Sequence, residues 1–450
     1  MSRLAPALTV REKNGMLKRN FPNEVIDMLI ALLLFAATYV LMLLLPKRRP
    51  IVALCSAAIF IISGMLSPLR AFAAVDFNVL LMIAGTMGTV ALVIESKMPF
   101  LLSDLIVEKV PNVKWAIVIL SLFAGVVSAF IDNVATVLMI APIAMAMAKR
   151  LDLKPVNMII AISVSSNLQG AATLVGDTTS ILLGGYANMD FNDFFWYHGK
   201  PGIFFAVELG ALISALILLV LFRKETEPVE AGKRTVVTDY VPSILLCATV
   251  LLLILASLFP NRPAMTNGII CAAIMVIGMI YHAVKNHSVK AIAGPLKEID
   301  FETIALLFGL FIVVGGITEM GVVDAIAQLF TRLGGGSVFL VYTIITWASV
   351  AISAFIDNIP YVATMLPVVQ SIAAAMGVDP TVLYFGLLSG ATLGGNLTPI
   401  GASANITGIG ILRKEGWEVT NGDFMRIGVP FTLAAVIPAY IYLWIFYGVH

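Results

Sequence analysis

The hexapeptide Ser-Ala-Phe-Ile-Asp-Asn occurs twice in this chain, at residues 128–133 and again at residues 353–358. Each copy places an aspartate in the middle of a long apolar run. An ionisable residue in such a run is energetically costly and generally marks a functional site in a membrane protein. Any fold of this chain therefore has to accommodate two equivalent carboxyl groups among apolar residues.

The two copies are part of a longer internal repeat. At the same offset of 225 residues, Pro142 coincides with Pro367, Pro155 with Pro380, Gly170 with Gly395, Thr173 with Thr398, and Gly176 with Gly401. Chance matching of apolar residues does not readily produce identical Asp-Asn, Pro and Gly residues in one register. We interpret the two halves as repeats of one structural unit.

Composition indicates the class of protein. Of the 450 residues, 60% are hydrophobic and 12% are charged, and the mean hydropathy of +0.98 is typical of a polytopic membrane protein. The three cysteines lie far apart inside apolar segments, and the four histidines lie in or next to loops or at the C-terminus. This distribution argues against a zinc site or a buried Ser/His/Asp arrangement, so we expect neither an enzyme nor a cofactor.

Apolar runs and the polar segments between them divide the chain into two repeats. We predict an all-α protein in which each repeat has five membrane-crossing segments, one of them discontinuous, and one re-entrant hairpin. The predicted boundaries are an N-terminal tail at 1–24, a first repeat at 25–222 with a hairpin at 115–147 and a broken helix at 156–183, a cytoplasmic linker at 223–239, and a second repeat at 240–449 with a hairpin at 338–375 and a broken helix at 381–412.

Basic residues predict the orientation. Five crossings is an odd number, so the two repeats are expected to be inverted relative to each other. With the N-terminus outside, the cytoplasmic loops contain 19 basic residues and the outer loops four, although five more lie in the N-terminal tail against this trend. Because short cytoplasmic loops are enriched in Lys and Arg, we predict a multi-pass protein of the inner or plasma membrane with both termini extracytoplasmic.

The apolar runs on either side of the first hexapeptide are short. Trp115–Phe130 has 16 residues and Val134–Met147 has 14, which as helices reach roughly 24 and 21 Å against a hydrocarbon core of about 30 Å. Two interpretations remain open. Either each run is a re-entrant hairpin with the Asp-Asn pair at its tip, or both legs cross the membrane. The shortness of the legs favours the hairpin.

The chemistry of the tips predicts an ion site. Asp132, Asn133 and Thr136 in the first half, and Asp357 and Asn358 in the second, supply carboxylate, amide and hydroxyl oxygens. Together with free backbone carbonyls these groups can hold a small cation, or the carboxyl group can carry a proton. The alternative is structural, because Asp is also a good residue to cap the N-terminus of a helix.

A glycine-rich polar interruption follows each tip, at residues 165–180 and at residues 389–405. Gly and Pro break a helix there and leave amide ends, which suit anions, and carbonyl ends, which suit cations. Close helix packing through small residues is the alternative. Packing alone does not require Asp177, Asn396, Pro399 and Asn405 at bilayer depth, so discontinuous helices are favoured.

Two of these segments, Ser353–Pro367 and Gly394–Asn405, carry a family resemblance. They resemble the ion transporter superfamily, in particular the branch of arsenite permeases, P proteins and NhaD-type sodium/proton antiporters with a citrate-transporter-like domain. The resemblance extends over about residues 25–449. It implies two inverted repeats, a scaffold and a transport domain, and alternating access of the elevator type.

The resemblance also implies site residues by position. With Asn396 added from the second interruption, the candidate substrate- and ion-binding residues are Asp132, Asn133, Thr136, Thr173, Asp177, Thr178, Asp357, Asn358, Asn396, Thr398, Ser403 and Asn405. The candidate Na⁺ ligands are Ser128, Asn133, Gly176, Ser353, Asn358 and Gly401.

The chain departs from its relatives at two places. Dicarboxylate-transporting relatives carry Ser-Asn-Thr at the tips, whereas Asp precedes Asn in both tips here. The first broken helix reads Gly-Asp-Thr-Thr-Ser at residues 176–180, where relatives often have Gly-Asp-Pro-Pro-Asn. The first departure argues against sodium-coupled dicarboxylate uptake and suits a site that handles protons or cations.

We therefore expect a secondary active transporter of a small ion, coupled to Na⁺ or H⁺. The substrate classes are an inorganic anion or oxyanion, a small carboxylate, or Na⁺/H⁺ exchange. The alternatives are a gated ion channel and the membrane subunit of an ATPase-driven arsenite pump. The expected partners are the small-ion substrate and the lipid bilayer, with no nucleic acid, and a homodimer is left open.

Three more acids lie in or next to the apolar segments. Asp76 and Asp300 immediately precede the apolar runs that begin at Phe77 and Phe301, and this position predicts helix caps. Glu208 lies within an apolar segment that has no acid in the second half. It is expected to be an interfacial residue or part of a proton relay.

Overall fold

The computed structural model describes residues 21–229, 234–259 and 261–448. Most of the predicted N-terminal tail and residue 449 lie outside the described residues. The part that is described contains 20 α-helices. They are α1 Phe21–Leu44, α2 Arg49–Ile62, α3 Pro68–Ala74, α4 Phe77–Glu95, α5 Met98–Val107, α6 Val113–Ser128, α7 Asn133–Arg150, α8 Val156–Gln169, α9 Thr178–Tyr186, α10 Ile203–Leu221, α11 Val241–Ser257, α12 Thr266–Lys285, α13 Ala293–Lys297, α14 Phe301–Glu319, α15 Val322–Leu333, α16 Val338–Ser353, α17 Asn358–Met376, α18 Thr381–Gly394, α19 Ser403–Lys414 and α20 Asn421–Tyr447.

Short elements complete the chain between these helices. One antiparallel hairpin pairs β1, Trp196–Tyr197, with β2, Lys200–Pro201. Single 3₁₀ turns occupy Pro46–Arg48, Gly170–Ala172, Asn192–Phe194, Val289–Ile292 and Gly395–Leu397. Two of these turns matter for the site, because they directly follow α8 and α18.

The described helices are those of a polytopic membrane protein. Eight of them are long and apolar enough to cross a bilayer, and α15 with α16, bent by 116° at their junction, would count as a ninth if the pair is one span. The predicted all-α polytopic class is thereby confirmed. The eight include α7 and α17, the second legs of the two predicted hairpins. Because these helices are long enough to cross, the re-entrant hairpins remain a prediction.

Helices of the two halves end at matched positions. α6 and α16 have the same bounds after a shift of 225 residues, and so do α8 and α18 and the 3₁₀ turns that follow them. The two halves therefore break their helices at the same places in the repeat. The inverted orientation of the repeats remains a prediction.

The helices pack in two groups. In the flanking group, α4 packs on α12, α2 packs on α14, and α11 contacts both α4 and α12. In the central group, α6 packs on α8, α16 on α18, and α10 on α20. The groups meet where α9 contacts α4 and where α17 contacts α14. A division into scaffold and moving transport domain is a proposal built on this packing.

Several predicted boundaries differ from the observed ones. α1 begins at Phe21, inside the predicted tail, and α7 continues to Arg150 beyond the predicted hairpin. A helix, α5, occupies Met98–Val107, where the sequence predicts only a cytoplasmic loop. Its ten residues are too few to span a membrane, so a search for long apolar runs passes over it.

The predicted linker is not simply a solvated connection. Val113 N donates to Glu227 O at 3.0 Å and Lys114 N donates to Glu225 O at 2.9 Å, so part of the linker pairs with the start of α6. Arg234 donates two hydrogen bonds to the Glu108 carboxylate, at 2.7 and 2.8 Å. These contacts attach the described part of the linker to the cytoplasmic ends predicted for the central helices.

Candidate functional site

Each tip aspartate caps the helix that follows it. Asp132 Oδ1 accepts from the backbone N–H groups of Val134 and Ala135 at 3.0 and 3.2 Å, and so begins α7. Asp357 Oδ1 accepts from Ile359 N at 3.3 Å at the start of α17. The structural role considered for these residues is therefore present. It uses one oxygen of each carboxylate and leaves the other for different partners.

The interruptions after α8 and α18 are also built alike, except at the cap. Asp177 caps α9 through Thr178 N at 2.8 Å, and Thr179 Oγ1 donates to its second oxygen at 2.8 Å. The position that matches Asp177 in the second half is Ala402, which offers α19 no side-chain cap. The second broken helix consequently lacks the carboxylate of the first.

Tips and interruptions meet around one cavity of about 140 Å³. The sequence-predicted residues that line it are Asp132, Asn133, Asp177, Thr178, Asn358 and Ser403. Glu298 and Asp300, which precede α14, and Thr303 in its first turn complete the polar wall of the cavity. Among its described lining residues there is no Lys, Arg or His. Asp300 also caps α14 through Thr303 N at 2.9 Å, and Asp76 caps α4 through Val79 N at 3.0 Å, so both predicted caps are confirmed.

A row of buried amides lies behind the cavity. Asn133 Nδ2 donates to Asn167 Oδ1 at 3.1 Å, and Asn167 Nδ2 donates in turn to Asn396 Oδ1 at 3.0 Å and to Thr392 O at 2.7 Å. Asn396 Nδ2 donates to Val164 O at 2.9 Å. These bonds join the two halves directly. Asn396, a predicted site residue, is thus a buried support that does not line the cavity.

Asn167 and Thr392 belong to this core but are absent from the predicted site. They occupy matched positions of the repeat, and both are fully buried. A run of polar residues at the C-terminal end of α8, residues 165–169, was the available signal. Residues 298, 300 and 303 were missed for a different reason, because they reach the cavity only through the packing of α14.

Two glycines face clusters of carbonyl oxygens. A Cβ on Gly176 would lie 2.6 Å from Gly170 O and 2.8 Å from Ser128 O and Ala129 O. A Cβ on Gly401 would lie 2.5 Å from Gly395 O, 2.7 Å from Ser353 O and 2.9 Å from Ala354 O. Only glycine fits either position. Four of the six candidate Na⁺ ligands, Ser128, Gly176, Ser353 and Gly401, therefore lie where backbone oxygens of tip and interruption converge, once in each half.

Threonine and asparagine side chains fix these clusters. Thr173 Oγ1 donates to Ala129 O, and Thr398 Oγ1 donates to Ala354 O, at matched positions. Asn405 Nδ2 donates to Gly395 O at 3.1 Å and to Thr398 O at 3.3 Å. The oxygen of the same amide is fully buried and has no partner among the described residues. An unpartnered buried acceptor is a candidate cation ligand.

The serines and Thr136 take different places. Ser353 Oγ donates to Ala391 O at 2.5 Å, whereas the matched Ser128 Oγ is buried and has no partner among the described residues. Thr136 Oγ1 lies 3.5 Å from Ile131 O and is fully buried. These three residues are buried next to the tips and do not line the cavity.

The two tip carboxylates differ in their surroundings. Arg49 Nη1, at the start of α2, lies 2.9 Å from Asp357 Oδ2, and Ser403 Oγ donates to the same oxygen at 3.4 Å. Asp357 is not among the residues that line the cavity. Asp132 lines it and forms no ion pair with any described residue. Identical hexapeptides thus hold one paired and one unpaired carboxylate.

Contact between the halves also involves Asp177. Its Oδ2 atom lies 3.5 Å from Asn358 Nδ2, which brings the second tip to the first broken helix. Thr179 Oγ1 and Thr392 Oγ1 form a further bond across the halves at 3.1 Å. Glu208, by contrast, is half-buried in α10 and does not line the cavity, so its role remains a prediction.

Several known proteins are similar to this chain. The chain matches the citrate transporter family over residues 39–390 and 286–449. An uncharacterized transporter of Mycobacterium tuberculosis is 32% identical over 433 residues, which cover 93% of this chain and 99% of the relative. The human P protein is 24% identical, and the match covers 92% of this chain and 59% of that protein.

A solved structure shares the fold. The YdaH transporter of Alcanivorax borkumensis superposes with a TM-score of 0.57 at 14% identity, over 84% of this chain and 86% of that one. The family and the mycobacterial relative are transporters and not enzymes, and the match to the P protein confirms the predicted relationship to the P-protein branch. The chain belongs to the citrate transporter family and is a multi-pass membrane transporter.

Proposed function

We propose that the protein is a secondary active transporter that exchanges a small monovalent cation, Na⁺ in the first place, for protons at the cavity between the two tips. The observation that carries this proposal is the charge of the cavity wall. Four carboxyl groups, those of Asp132, Asp177, Glu298 and Asp300, line about 140 Å³ without a basic side chain among the described lining residues. Because all four groups are negative when ionised, the cavity wall repels a bare anion and attracts cations.

Asp132 and Asp177 are the residues proposed to bind the exchanged ions. Each uses one carboxylate oxygen as a helix cap, and both residues line the cavity. A carboxylate that holds a proton has lost the charge that would hold Na⁺ there. Occupation by one ion therefore displaces the other, which is the requirement for exchange.

The carbonyl clusters at Gly176 and Gly401 are proposed to hold the metal ion beside these carboxylates. Backbone carbonyl oxygens suit a hard cation. The unpartnered side-chain oxygen of Ser128 would add a ligand to the cluster at Gly176, and that of Asn405 would add one to the cluster at Gly401. The cluster near Gly176 is the better candidate, because Asp177 directly follows it in the chain.

Alternating access is proposed to arise from sliding of the central group against the flanking group. The two groups meet through α9 with α4 and α17 with α14, and the cavity lies between them. In the described arrangement the cavity reaches Glu298, in a loop that its basic residues predict to be cytoplasmic. We propose that this is the inward-facing state of an elevator.

A small carboxylate is the second candidate substrate. It is supported by the start of α19, which has no side-chain cap and whose first residue, Ser403, lines the cavity. Free amide groups at a helix N-terminus attract anions. The family's description as citrate transporters points the same way. A carboxylate would have to enter with enough protons or cations to offset the acidic wall.

Flux in proteoliposomes tests the proposal. The purified protein is reconstituted with an internal pH indicator and exposed to Na⁺, K⁺ or choline gradients, with citrate or arsenite added in parallel. We expect Na⁺-driven proton flux that protein-free liposomes lack. Citrate uptake without cation exchange would instead favour the second candidate. Single-channel currents would show a channel, and both results would overturn the exchange proposal.

A further inference from the structure

We propose that Arg49 is a positioning residue that holds the Asp357 carboxylate away from the cavity. It also ties the second tip to the junction between α1 and α2, and we call this contact the clasp. The contact has to open in each transport cycle, an inference that rests on the proposed alternating access. Arg49 does not line the cavity and lies outside every motif of the internal repeat. Its role follows from its contacts alone.

The guanidinium group connects three parts of the molecule. Nη1 lies 2.9 Å from Asp357 Oδ2, while Nε donates to Met42 O on α1 at 3.4 Å. The Arg49 side chain is 22% exposed to solvent and the Asp357 side chain is 13% exposed. An ion pair with so little contact with solvent is screened weakly, so each partner depends on the other for neutralisation.

A second contact joins the same elements one turn further along. Tyr39 OH donates to Pro360 O at 2.7 Å and is hydrogen-bonded to Thr364 Oγ1. Both partners lie on α17, the helix that Asp357 caps. Helix α1, which packs on α2 and α14 of the flanking group, and α2 itself therefore hold the beginning of α17 by a hydrogen-bonded tyrosine and by an ion pair.

No equivalent clasp holds the first tip. Asp132, the matching aspartate of the first tip, has no basic partner among the described residues. The clasp consequently acts on one tip only. It removes one carboxylate from the acidic wall and leaves Asp132 and Asp177 to bind the exchanged ions.

Charge-neutral variants test the pairing. Arg49→Gln and Asp357→Asn each leave one charge unpaired in a partly buried place, and each should slow exchange by about tenfold or more. The double variant removes both charges and should recover to within about threefold of wild type, because neither group is then unpaired. A double variant no faster than the slower single variant would overturn the proposal. So would two single variants with wild-type rates.

The matched control is an ion pair inside the flanking group. Arg70 on α3 pairs with Glu319 on α14, and both helices belong to the same side of the molecule. Arg70→Gln should therefore leave the exchange rate unchanged. Thermal unfolding in detergent is measured for every variant, so that a loss of folding is distinguished from a loss of positioning.

A reversible cross-link separates a clasp that opens from a merely structural ion pair. In a chain whose three native cysteines are replaced, Arg49→Cys and Asp357→Cys are joined by a cleavable thiol reagent of the length of the original pair. Exchange should stop and should return on cleavage. Joining Glu95→Cys to His282→Cys links α4 and α12 within the flanking group and should not affect it. Undiminished exchange in the first cross-linked protein would overturn the proposal.

A labelling experiment keeps the clasp testable even if wild-type protein exchanges no cations. Leu138 lines the cavity and is exposed, so Leu138→Cys can be modified by a maleimide added from the Glu298 side. Arg49→Gln should change the labelling rate by at least about threefold, because the second tip is no longer held in place. An unchanged rate would overturn the clasp, whereas absence of flux in wild type overturns only the proposed exchange.

Discussion

The first and second tips have the same six residues and nearly the same backbone, yet their aspartates have opposite environments. Asp132 faces a cavity with three other acids, whereas Asp357 is paired with Arg49 and Ser403. The duplicated sequence reproduces helix ends, caps and carbonyl clusters. Partners from outside the repeat motif then make the two copies chemically different. The backbone construction of the two tips is shared, whereas the carboxylate without a basic partner occurs only in the first tip.

The strongest test of this comparison is to remove the unpaired carboxylate. Asp132→Asn keeps an oxygen that can cap α7 but has no charge with which to bind a cation or a proton. We expect a loss of at least about 100-fold in Na⁺-driven proton flux, with little change in thermal stability. If Asp357→Asn in the Arg49→Gln background lost as much, the two tips would be equivalent and the comparison would fail.

Where the halves agree, their variants should agree as well. Gly176→Ala and Gly401→Ala each place a methyl group 2.5 to 2.9 Å from three backbone carbonyl oxygens. Because backbone cannot yield as a flexible side chain can, we expect both variants to lose about tenfold or more in flux and to unfold at lower temperature.

Gly410→Ala on α19 is the control, since its added methyl group meets no atom within 4 Å. Flux and thermal unfolding are measured in parallel for all three variants. A normal Gly176→Ala protein beside a damaged Gly401→Ala protein would show that the carbonyl clusters are not equivalent.

A smaller effect is expected from the buried amide row. Asn167→Ala removes the link between Asn133 and Asn396 and leaves their facing amide atoms unpartnered, at a cost of about 1–3 kcal/mol for each buried group. We expect a lower unfolding temperature and a flux that is slower by about threefold to tenfold. Unaltered stability would show that water replaces the lost amide and that the halves do not depend on this link.

The smallest effect is expected far from the tips, at the linker. Hydrogen bonds from Arg234 hold the pKa of the Glu108 carboxyl below its ordinary value. A lowered folded-state pKa contributes stability that is present above the ordinary pKa of Glu and is lost as the pH falls through the lowered value. Arg234→Gln should thus unfold slightly earlier than wild type at neutral pH, and the difference should vanish in acid.

The pair is exposed, so flux should stay within about twofold of wild type. Thermal unfolding from neutral pH to acid checks the sign. A large change in transport would mean that the linker takes part in the motion of the central group, which would add a third region to the comparison.

Local signals in the sequence were sufficient to predict the class of protein, the matched helix ends and the helix caps. The duplicated Asp-Asn, Pro and Gly residues anticipate the matched ends of α6 and α16, and the positions of Asp76 and Asp300 anticipate their caps. The remaining features of the site depend on how distant helices pack together, which local signals do not show. Arg49 lies more than 300 residues before Asp357, and no periodicity relates the two. Glu298 and Asp300, just before α14, likewise reach the cavity only because that helix packs against α17.

The amide row has a direction. Every bond from Asn133 through Asn167 and Asn396 to the carbonyl of Val164 is donated the same way. An amide has one donor end and one acceptor end, so none of the three can turn over unless its neighbours turn with it. The row therefore behaves as a single polar unit that keeps the two halves in register. In the proposed elevator motion, this unit would move together with both tips, so that the two halves of the site would stay together while only their access to water alternates.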